Sequence, residues 1–281
     1  MTTRVTANGI DIAYESFGPP TGRPLLLIMG LGAQLIHWDE EFCELLVEQG
    51  HHVVRFDNRD AGLSTHFHDA GVPGPGAPAP YLLDDMADDA AALMDALGWP
   101  AAHVAGASMG GMIAQTLAIR HPGRVLSMTS IMSTPGPDVA PPAEAAVSVL
   151  MAAPPPDRES VQAQAVRTWS VIGSPGYELD RERITTMAGL AYDRCFDPAG
   201  TSRQLAAIMA SGDRTERLAG VAVPTLVLHG EADLLVPVAG GHATAAAVPG
   251  ARLVTYPGMG HDLPRPVWSD IVTEITKLTS A

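Results

Sequence analysis

Short apolar segments alternate with longer amphipathic segments along most of this 281-residue chain. Residues 24–29 and 101–107 have the length of strands and contain no Asp, Glu, Lys or Arg, which is typical of strands covered on both faces. Between them, residues 83–97 repeat their apolar side chains at helical spacing, and Gly98 follows as a usual helix end. Strands that alternate with helices predict a mostly parallel sheet with helices packed against it.

The same alternation predicts the remaining elements and one interruption. The predicted strands are 5–6, 10–15, 24–29, 52–56, 101–107, 125–132, 224–229 and 252–256, and the predicted helices are 39–49, 83–97, 109–120, 238–247 and 267–278. Seven prolines fall within residues 135–156, and irregular helical sequence continues to about Leu218. We therefore predict a core formed by residues 1–134 and 218–281, interrupted by a helical cap at residues 135–217.

Composition excludes several classes of partner. With 17 basic and 31 acidic residues the net charge is −14, which disfavours binding to nucleic acid. Cys43 and Cys195 form no disulfide framework, and the N-terminus has no apolar signal segment, so we expect a cytoplasmic protein. Residues 101–119 carry no charge and have the length of a membrane span, but the three glycines within them favour a strand, a turn and a helix instead. We predict no membrane partner.

The turn in this segment carries a nucleophile motif. Residues 106–110 read Gly-Ala-Ser-Met-Gly and match G-x-S-x-G between a predicted strand and a predicted helix. Such a tight turn forces the serine backbone into a strained conformation that only small neighbours permit. The serine then projects at the carboxyl edge of the sheet, where the N–H groups of the helix start can face a developing oxyanion. The pattern predicts Ser108 as a nucleophile; a helix-capping serine in a glycine-rich turn is the alternative.

A nucleophilic serine needs a histidine that is oriented by a carboxylate. Asp233 follows the predicted strand 224–229, and His261 follows the predicted strand 252–256. Both therefore fall at the carboxyl ends of strands, where open α/β sheets bind their ligands. Asp233 precedes an apolar Leu-Leu-Val run that would anchor its loop, so we predict it as the acid, with Glu231 as the alternative.

With these residues in this order, the chain resembles the α/β-hydrolase superfamily over essentially its whole length. The resemblance implies the α/β-hydrolase fold: a mostly parallel eight-stranded sheet with helices on both faces and a cap inserted after strand 6. It implies Ser108, Asp233 and His261 as the catalytic triad. It also implies the backbone N–H groups of Leu31 and Met109 as the oxyanion hole.

Two loop sequences carry a narrower resemblance. Residues 29–32 read Met-Gly-Leu-Gly where many superfamily members have His-Gly, so this chain lacks a side chain that often braces the loop. This loop and residues 57–64 are similar to the aclacinomycin methylesterase group, whose related sequences are often labelled enol-lactonases. We interpret residues 57–64 as a structural turn near the pocket.

The cap is rich in large apolar residues, some of which should roof an apolar, deformable pocket above Ser108 while the rest pack the cap onto the core. The predicted substrate-binding residues are Gly30, Trp169, Met187, Tyr192 and Met209. Three cap arginines could bind a substrate carboxylate, although surface ion pairing is the commoner role: Arg194, Arg203 and Arg214.

No metal or cofactor site is predicted. His66 and His68 lie beside Asp69, but a further ligand at fixed spacing is missing, so a solvated loop is the favoured interpretation. Two pairs of aspartates in the predicted helix 83–97, Asp84 with Asp88 and Asp85 with Asp89, stand at i and i+4, which is typical of a solvated helix face.

The predicted function is hydrolysis of a carboxylic ester through an acyl-enzyme, without a cofactor. The expected partner is a small-molecule ester or lactone with a medium or bulky apolar part, and a methyl ester is one candidate. The alternatives on the same triad are enol-lactone hydrolysis, carbon–carbon bond hydrolysis and perhydrolysis. A more distant alternative is a ligand-binding protein without catalysis. The sequence does not define the oligomeric state.

Overall fold

The computed structural model describes residues 2–74 and 77–280. The chain begins with β1 (Thr3–Ala7) and β2 (Ile10–Phe17), which pair antiparallel around Asn8 and Gly9. This is the hairpin that the sequence predicts. The strands that follow are β3 (Arg23–Ile28), β4 (His51–Phe56), β5 (Ala102–Ala107), β6 (Val125–Ile131), β7 (Thr225–Gly230) and β8 (Arg252–Tyr256).

In the described residues these strands form one eight-stranded sheet in the order β1-β2-β4-β3-β5-β6-β7-β8. Every neighbouring pair from β4 to β8 is parallel, whereas β2 is antiparallel to both β1 and β4. The predicted fold class, a mostly parallel sheet of the α/β-hydrolase type, is confirmed.

The helices lie on both faces of the sheet and in the segment between β6 and β7. They are α1 (Glu40–Glu48), α2 (Leu83–Ala96), α3 (Met109–Arg120), α4 (Glu144–Leu150), α5 (Arg158–Ile172), α6 (Arg181–Arg194), α7 (Pro198–Ser211), α8 (Thr215–Leu218), α9 (Val238–Ala247) and α10 (Trp268–Thr279). Helices α4 to α7 fall within the predicted cap, whose exact limits at residues 135 and 217 stay a prediction.

Alternate residues of β3 show why this strand is apolar throughout. Leu25 and Leu27 belong to a core cluster with side chains of α1 and α10, while Leu26 and Ile28 belong to a second cluster with side chains of α2 and α3. All four side chains are at most 1% exposed. A strand between two helical layers needs apolar residues at every position, since both of its faces are buried.

Residues 101–119, which have the length of a membrane span, divide into β5 and α3 around Ser108. Their lack of charge follows from burial inside the protein, since nearly every residue of α3 is buried. Among the described residues, no helix is both long enough and apolar enough to cross a membrane.

A buried ion pair joins the cap to the core. Arg203 of α7 donates from Nε and Nη2 to the two carboxylate oxygens of Asp60, at 2.9 and 2.7 Å. The two side chains are 1% and 0% exposed, and Tyr81 donates a further hydrogen bond to Asp60 at 2.7 Å. The pairing of Arg203 is therefore internal, not at the surface as the sequence suggested.

A second contact between cap and core is formed by His66. Its Nδ1 lies 2.7 Å from Asp197 Oδ2, and its Nε2 lies 3.0 Å from the Gly62 carbonyl oxygen and 3.6 Å from Cys195 Sγ. Its side chain is only 11% exposed, so the solvated-loop interpretation is wrong for His66. It holds for His68, which is 70% exposed. The hydrogen bonds to Cys195, Gly62 and Asp197 raise the pKa of His66 to about 9.

This shift predicts a pH-dependent stability. Because the folded-state pKa is raised from 6.5 to about 9, the contact contributes fully below pH 6.5 and is lost as the pH rises through about 9. We expect the free energy of unfolding, measured in urea, to fall over this range more steeply in the wild type than in His66→Gln. The exposed His242, which lies outside this contact, provides a control, since His242→Gln should keep the wild-type slope. Equal slopes for the wild type and His66→Gln would contradict the assignment.

Candidate active site

Ser108 occupies a strained turn between β5 and α3, with φ +56° and ψ −120°. Two glycines allow the strand and the helix to come this close. A Cβ on Gly106 would lie 2.0 Å from the Gly110 carbonyl oxygen, and a Cβ on Gly110 would lie 2.1 Å from the Ile28 carbonyl oxygen. The close backbone contacts at these two positions explain why the G-x-S-x-G motif needs its glycines. The turn presents the Ser108 side chain alone at the end of β5.

Ser108, His261 and Asp233 are in hydrogen-bonding contact, although 153 and 28 residues separate the paired positions. His261 Nε2 lies 2.9 Å from Ser108 Oγ, and His261 Nδ1 lies 2.7 Å from Asp233 Oδ2. The side chains of His261 and Asp233 are 6% and 0% exposed. A carboxylate on Nδ1 fixes the ring so that Nε2 can accept the serine proton.

The loop after β7 positions the carboxylate. Asp233 Oδ1 accepts hydrogen bonds from the N–H groups of Leu235 and Val236, at 2.8 and 2.9 Å. His229 donates from Nε2 to the Val236 carbonyl oxygen at 2.7 Å, and burial lowers the pKa of His229, which favours its neutral form. Glu231, the alternative acid, is exposed and instead accepts a hydrogen bond from Thr255.

The loop after β3 passes directly beside the serine. A Cβ on Gly30 would lie 3.1 Å from Ser108 Cβ. Within the described residues, the Leu31 N–H has no acceptor. Met109 is the first residue of α3, so its N–H has no acceptor inside the helix. Both predicted oxyanion donors are thus backbone groups without a partner in their own segments.

Residues 57–64 hold both ends of this loop. Asn58 Nδ2 donates to the Met29 carbonyl oxygen at 2.9 Å, and Asp57 Oδ1 accepts from the Leu35 N–H at 2.6 Å. Asp57 is fully buried and also pairs with Arg194 of α6 at 3.1 Å. The interpretation of residues 57–64 as a structural turn is confirmed, and Arg194 serves this turn.

A cavity of about 1030 Å³ lies between the core and the cap, with Ser108 and His261 in its wall. This volume is near the upper end of the usual range for small-molecule sites, which is about 300 to 1,000 Å³. Five residues predicted near the site line it: Gly30, Leu31, Trp169, Met187 and Met209. Three core methionines that sequence reasoning missed also line it: Met29, Met112 and Met132.

Tyr192 is not among the residues that line the cavity. Its ring lies 5.0 Å from the ring of Phe196. The α6 residues that line the cavity end at Ala188, and Tyr192 lies four positions further on, about 6 Å along the helix axis. Tyr192 therefore lies beyond the part of α6 that lines the cavity.

One part of the cavity wall is polar. His37 lines it with Nδ1 3.1 Å from the Gln34 N–H nitrogen, and burial lowers the pKa of His37. Asp262 lines it as well, accepts a hydrogen bond from Ser174 and has a pKa raised by burial. Sequence reasoning missed both residues, because neither belongs to a motif.

The candidate metal ligands have other partners. His66, His68 and Asp197 offer ligand atoms within 4.8 Å of one another, but Asp197 Oδ2 also accepts from Arg203 at 3.0 Å. A guanidinium on the same oxygen favours an ion-pair network. On α2, two aspartates pair with Arg120 at a partly exposed surface, as expected for a solvated face, whereas Asp89 is buried against Arg59.

The sheet order, with a serine turn after β5 and a carboxylate and a histidine after β7 and β8, defines the α/β-hydrolase class. Residues 23–265 match the model of the family described as serine aminopeptidase, S33. The chain belongs to this hydrolase family, and relatives named as esterases cover 92% and 100% of its length. The protein is an ester hydrolase.

Rhodomycin D methylesterase from Streptomyces sp. strain C5 is 29% identical over 100% of this chain and 99% of its own length. A bifunctional esterase/perhydrolase from Acinetobacter calcoaceticus is 29% identical, with 92% of each protein covered. The crystal structure of the enol-lactonase from Burkholderia xenovorans LB400 has a TM-score of 0.76 at 23% identity. It covers 98% of this chain and 100% of that chain, and it shows the shared fold.

Proposed function

We propose that the protein hydrolyses a carboxylic ester through an acyl-enzyme formed on Ser108. The observation that carries this proposal is the continuous hydrogen-bonded path from Ser108 Oγ through His261 to Asp233, at 2.9 and 2.7 Å. The path ends in the wall of a large cavity, where an ester carbonyl can reach the serine oxygen.

In this mechanism Ser108 Oγ attacks the ester carbonyl carbon while His261 Nε2 accepts the serine proton. Asp233 stabilises the imidazolium that forms. The N–H groups of Leu31 and Met109 donate to the oxyanion, each contributing about 3 kcal/mol as in comparable sites. His261 then returns the proton to the departing alcohol. A water molecule, activated by the same histidine, hydrolyses the acyl-enzyme.

The cavity supports an ester with a bulky apolar part. Most of the residues that line the cavity are apolar, and the methionines among them can adapt to irregular shapes. A cavity of about 1030 Å³ holds a far larger group than a short acyl chain. Together with the full-length similarity to a rhodomycin D methylesterase, this supports the methyl ester of a bulky carboxylic acid as the substrate.

Perhydrolysis is the second candidate, because one of the relatives is named as a bifunctional esterase/perhydrolase. The same acyl-enzyme would then transfer its acyl group to hydrogen peroxide in place of water.

The test combines an active-site label with a substrate panel. A fluorophosphonate should label the wild type at Ser108, as located by peptide mass spectrometry. Methyl esters of polycyclic aromatic acids should be hydrolysed faster than a lactone, a 1,3-diketone or a p-nitrophenyl ester of a short acid. Hydrogen peroxide with an ester would reveal perhydrolysis as peracid formation. Folded wild-type protein that takes up no label would refute the nucleophile assignment.

A further inference from the structure

We propose that Gln204, on cap helix α7, is a positioning residue that fixes the oxyanion loop (residues 29–35) against Ser108. The proposal rests on the proposed function, since it assigns a role in ester hydrolysis. In this role, a side chain of the cap positions an oxyanion donor that belongs to the core.

Gln204 holds the middle of the loop. Its Oε1 accepts the Gly32 N–H at 2.8 Å, and its Nε2 donates to the Arg59 carbonyl oxygen at 2.7 Å. The side chain is 0% exposed, so both ends of the amide are committed to these two backbone groups. The Gly32 N–H belongs to the peptide group that directly follows the one carrying the Leu31 N–H. Because each peptide group is planar and rigid, fixing the first restricts the orientation of the second.

Thr201, also on α7, packs directly against Gly32 of the loop. Gly32 has φ +66°, and a Cβ there would lie 2.7 Å from Thr201 Oγ1. Helix α7 therefore meets the loop both through a hydrogen bond and through van der Waals contact. The loop therefore cannot shift at Gly32 without breaking this hydrogen bond or displacing Thr201.

The loop also reaches back to the cap through Gln34. Gln34 Nε2 donates to the carbonyl oxygens of Ala191 and Cys195 at 2.7 and 2.8 Å, and its Oε1 accepts from Arg194 at 2.6 Å. This side chain is 4% exposed. The loop is thus held by two glutamine amides: Gln204, from the middle of α7, bonds to the loop, and Gln34 of the loop bonds to the end of α6.

These contacts divide the support of the loop between core and cap. The core holds its two ends, at the Met29 carbonyl and the Leu35 N–H. The cap holds its middle, at Gly32 and Gln34. An oxyanion donor must be aimed before the reaction, because a misplacement of about 1 Å can cost about 10²-fold in rate.

The test replaces Gln204 by methionine, which keeps the length of the side chain and removes both hydrogen bonds. We expect kcat for the best ester of the panel to fall by about 10- to 100-fold with KM within about twofold, because the oxyanion forms only after binding. An arylboronic acid supplies a second readout. Its boron accepts Ser108 Oγ, the serine proton passes to His261, and the resulting tetrahedral anion occupies the oxyanion hole. Its inhibition constant should rise by the same factor as kcat/KM falls.

Gln162 provides the matched control. It is a cap glutamine on α5 whose Nε2 donates to the Thr185 carbonyl oxygen at 3.0 Å, inside the cap. Gln162→Met removes a hydrogen bond of the same kind without touching the loop, so its kcat and its boronate inhibition constant should equal those of the wild type. If Gln204→Met does not fold, Gln34→Met tests the contact between loop and cap from the side of the loop. The same fall in kcat is expected.

Unchanged kcat and boronate affinity in a folded Gln204→Met protein would overturn the proposal. So would a loss confined to KM, which would indicate a role in shaping the cavity. Failure of the proposed function is detected separately, since it appears as absent fluorophosphonate labelling of the wild type.

Discussion

Replacement of Ser108 by alanine is expected to lower kcat for ester hydrolysis by about 10⁶-fold, close to the loss seen when a nucleophile is removed from comparable triads. The reason is that Ser108 Oγ is the atom that His261 Nε2 faces at 2.9 Å. Without it, only slow attack by water remains, aided by the oxyanion donors and by binding. The variant should fold, because alanine removes a single oxygen and leaves the φ of +56° to be supported by the same neighbours. Turnover and fluorophosphonate labelling measure the effect.

Ser133 is a suitable control for this variant. It follows β6, is 1% exposed, and its Oγ has no hydrogen-bond partner within the described residues. Ser133→Ala therefore removes the oxygen of a buried serine near the same sheet edge without breaking a contact, and it should retain wild-type turnover and labelling. Equal labelling of Ser108→Ala and the wild type would contradict the assignment of the nucleophile.

Asp233→Asn is expected to lower kcat by about 10⁴-fold, since an amide in place of the carboxylate favours the wrong histidine tautomer and no longer stabilises the imidazolium. The Leu235 and Val236 N–H groups still find an acceptor in the amide oxygen, so the loop should keep its conformation. Circular dichroism and thermal unfolding would check the fold, and single-turnover kinetics would measure acylation.

Glu231→Gln is the control in the same loop. Glu231 is exposed and bonded to Thr255, so its substitution should leave kcat within about twofold of the wild type, as for surface changes away from the site. If Asp233→Asn kept full activity while Glu231→Gln lost it, the acid role would belong to Glu231.

The parts of the fold that local sequence determines were predictable. An unbroken apolar run marks β3, because both faces of this strand are buried. Apolar residues at helical spacing mark α2, because one stripe of this helix is buried. The strained turn at Ser108 needs glycines at fixed spacing, and so it too is visible in the sequence. Asp233 and His261 were found because they follow predicted strands whose carboxyl ends must share one edge.

The parts that depend on distant contacts were not predictable. Asp60 and Arg203 are 143 residues apart, and neither pattern nor spacing connects them. His66 lies in a predicted loop, and the sequence does not show that Asp197, 131 residues away, packs beside it. Tyr192 and Met187 are both large side chains of the kind that line apolar pockets, and only their positions along α6 separate them. Side-chain orientation in an irregular cap is set by packing, which a single sequence does not record.

The buried pair of Arg203 and Asp60 restricts how this enzyme can be diversified. Caps are natural units to exchange between relatives when a new substrate range is sought. A donor cap without the arginine would leave Asp60 as an isolated charge in the interior, at a cost of about 3 to 5 kcal/mol. Successful chimeras of this scaffold should therefore either inherit Arg203 with the cap or carry a neutral residue in place of Asp60.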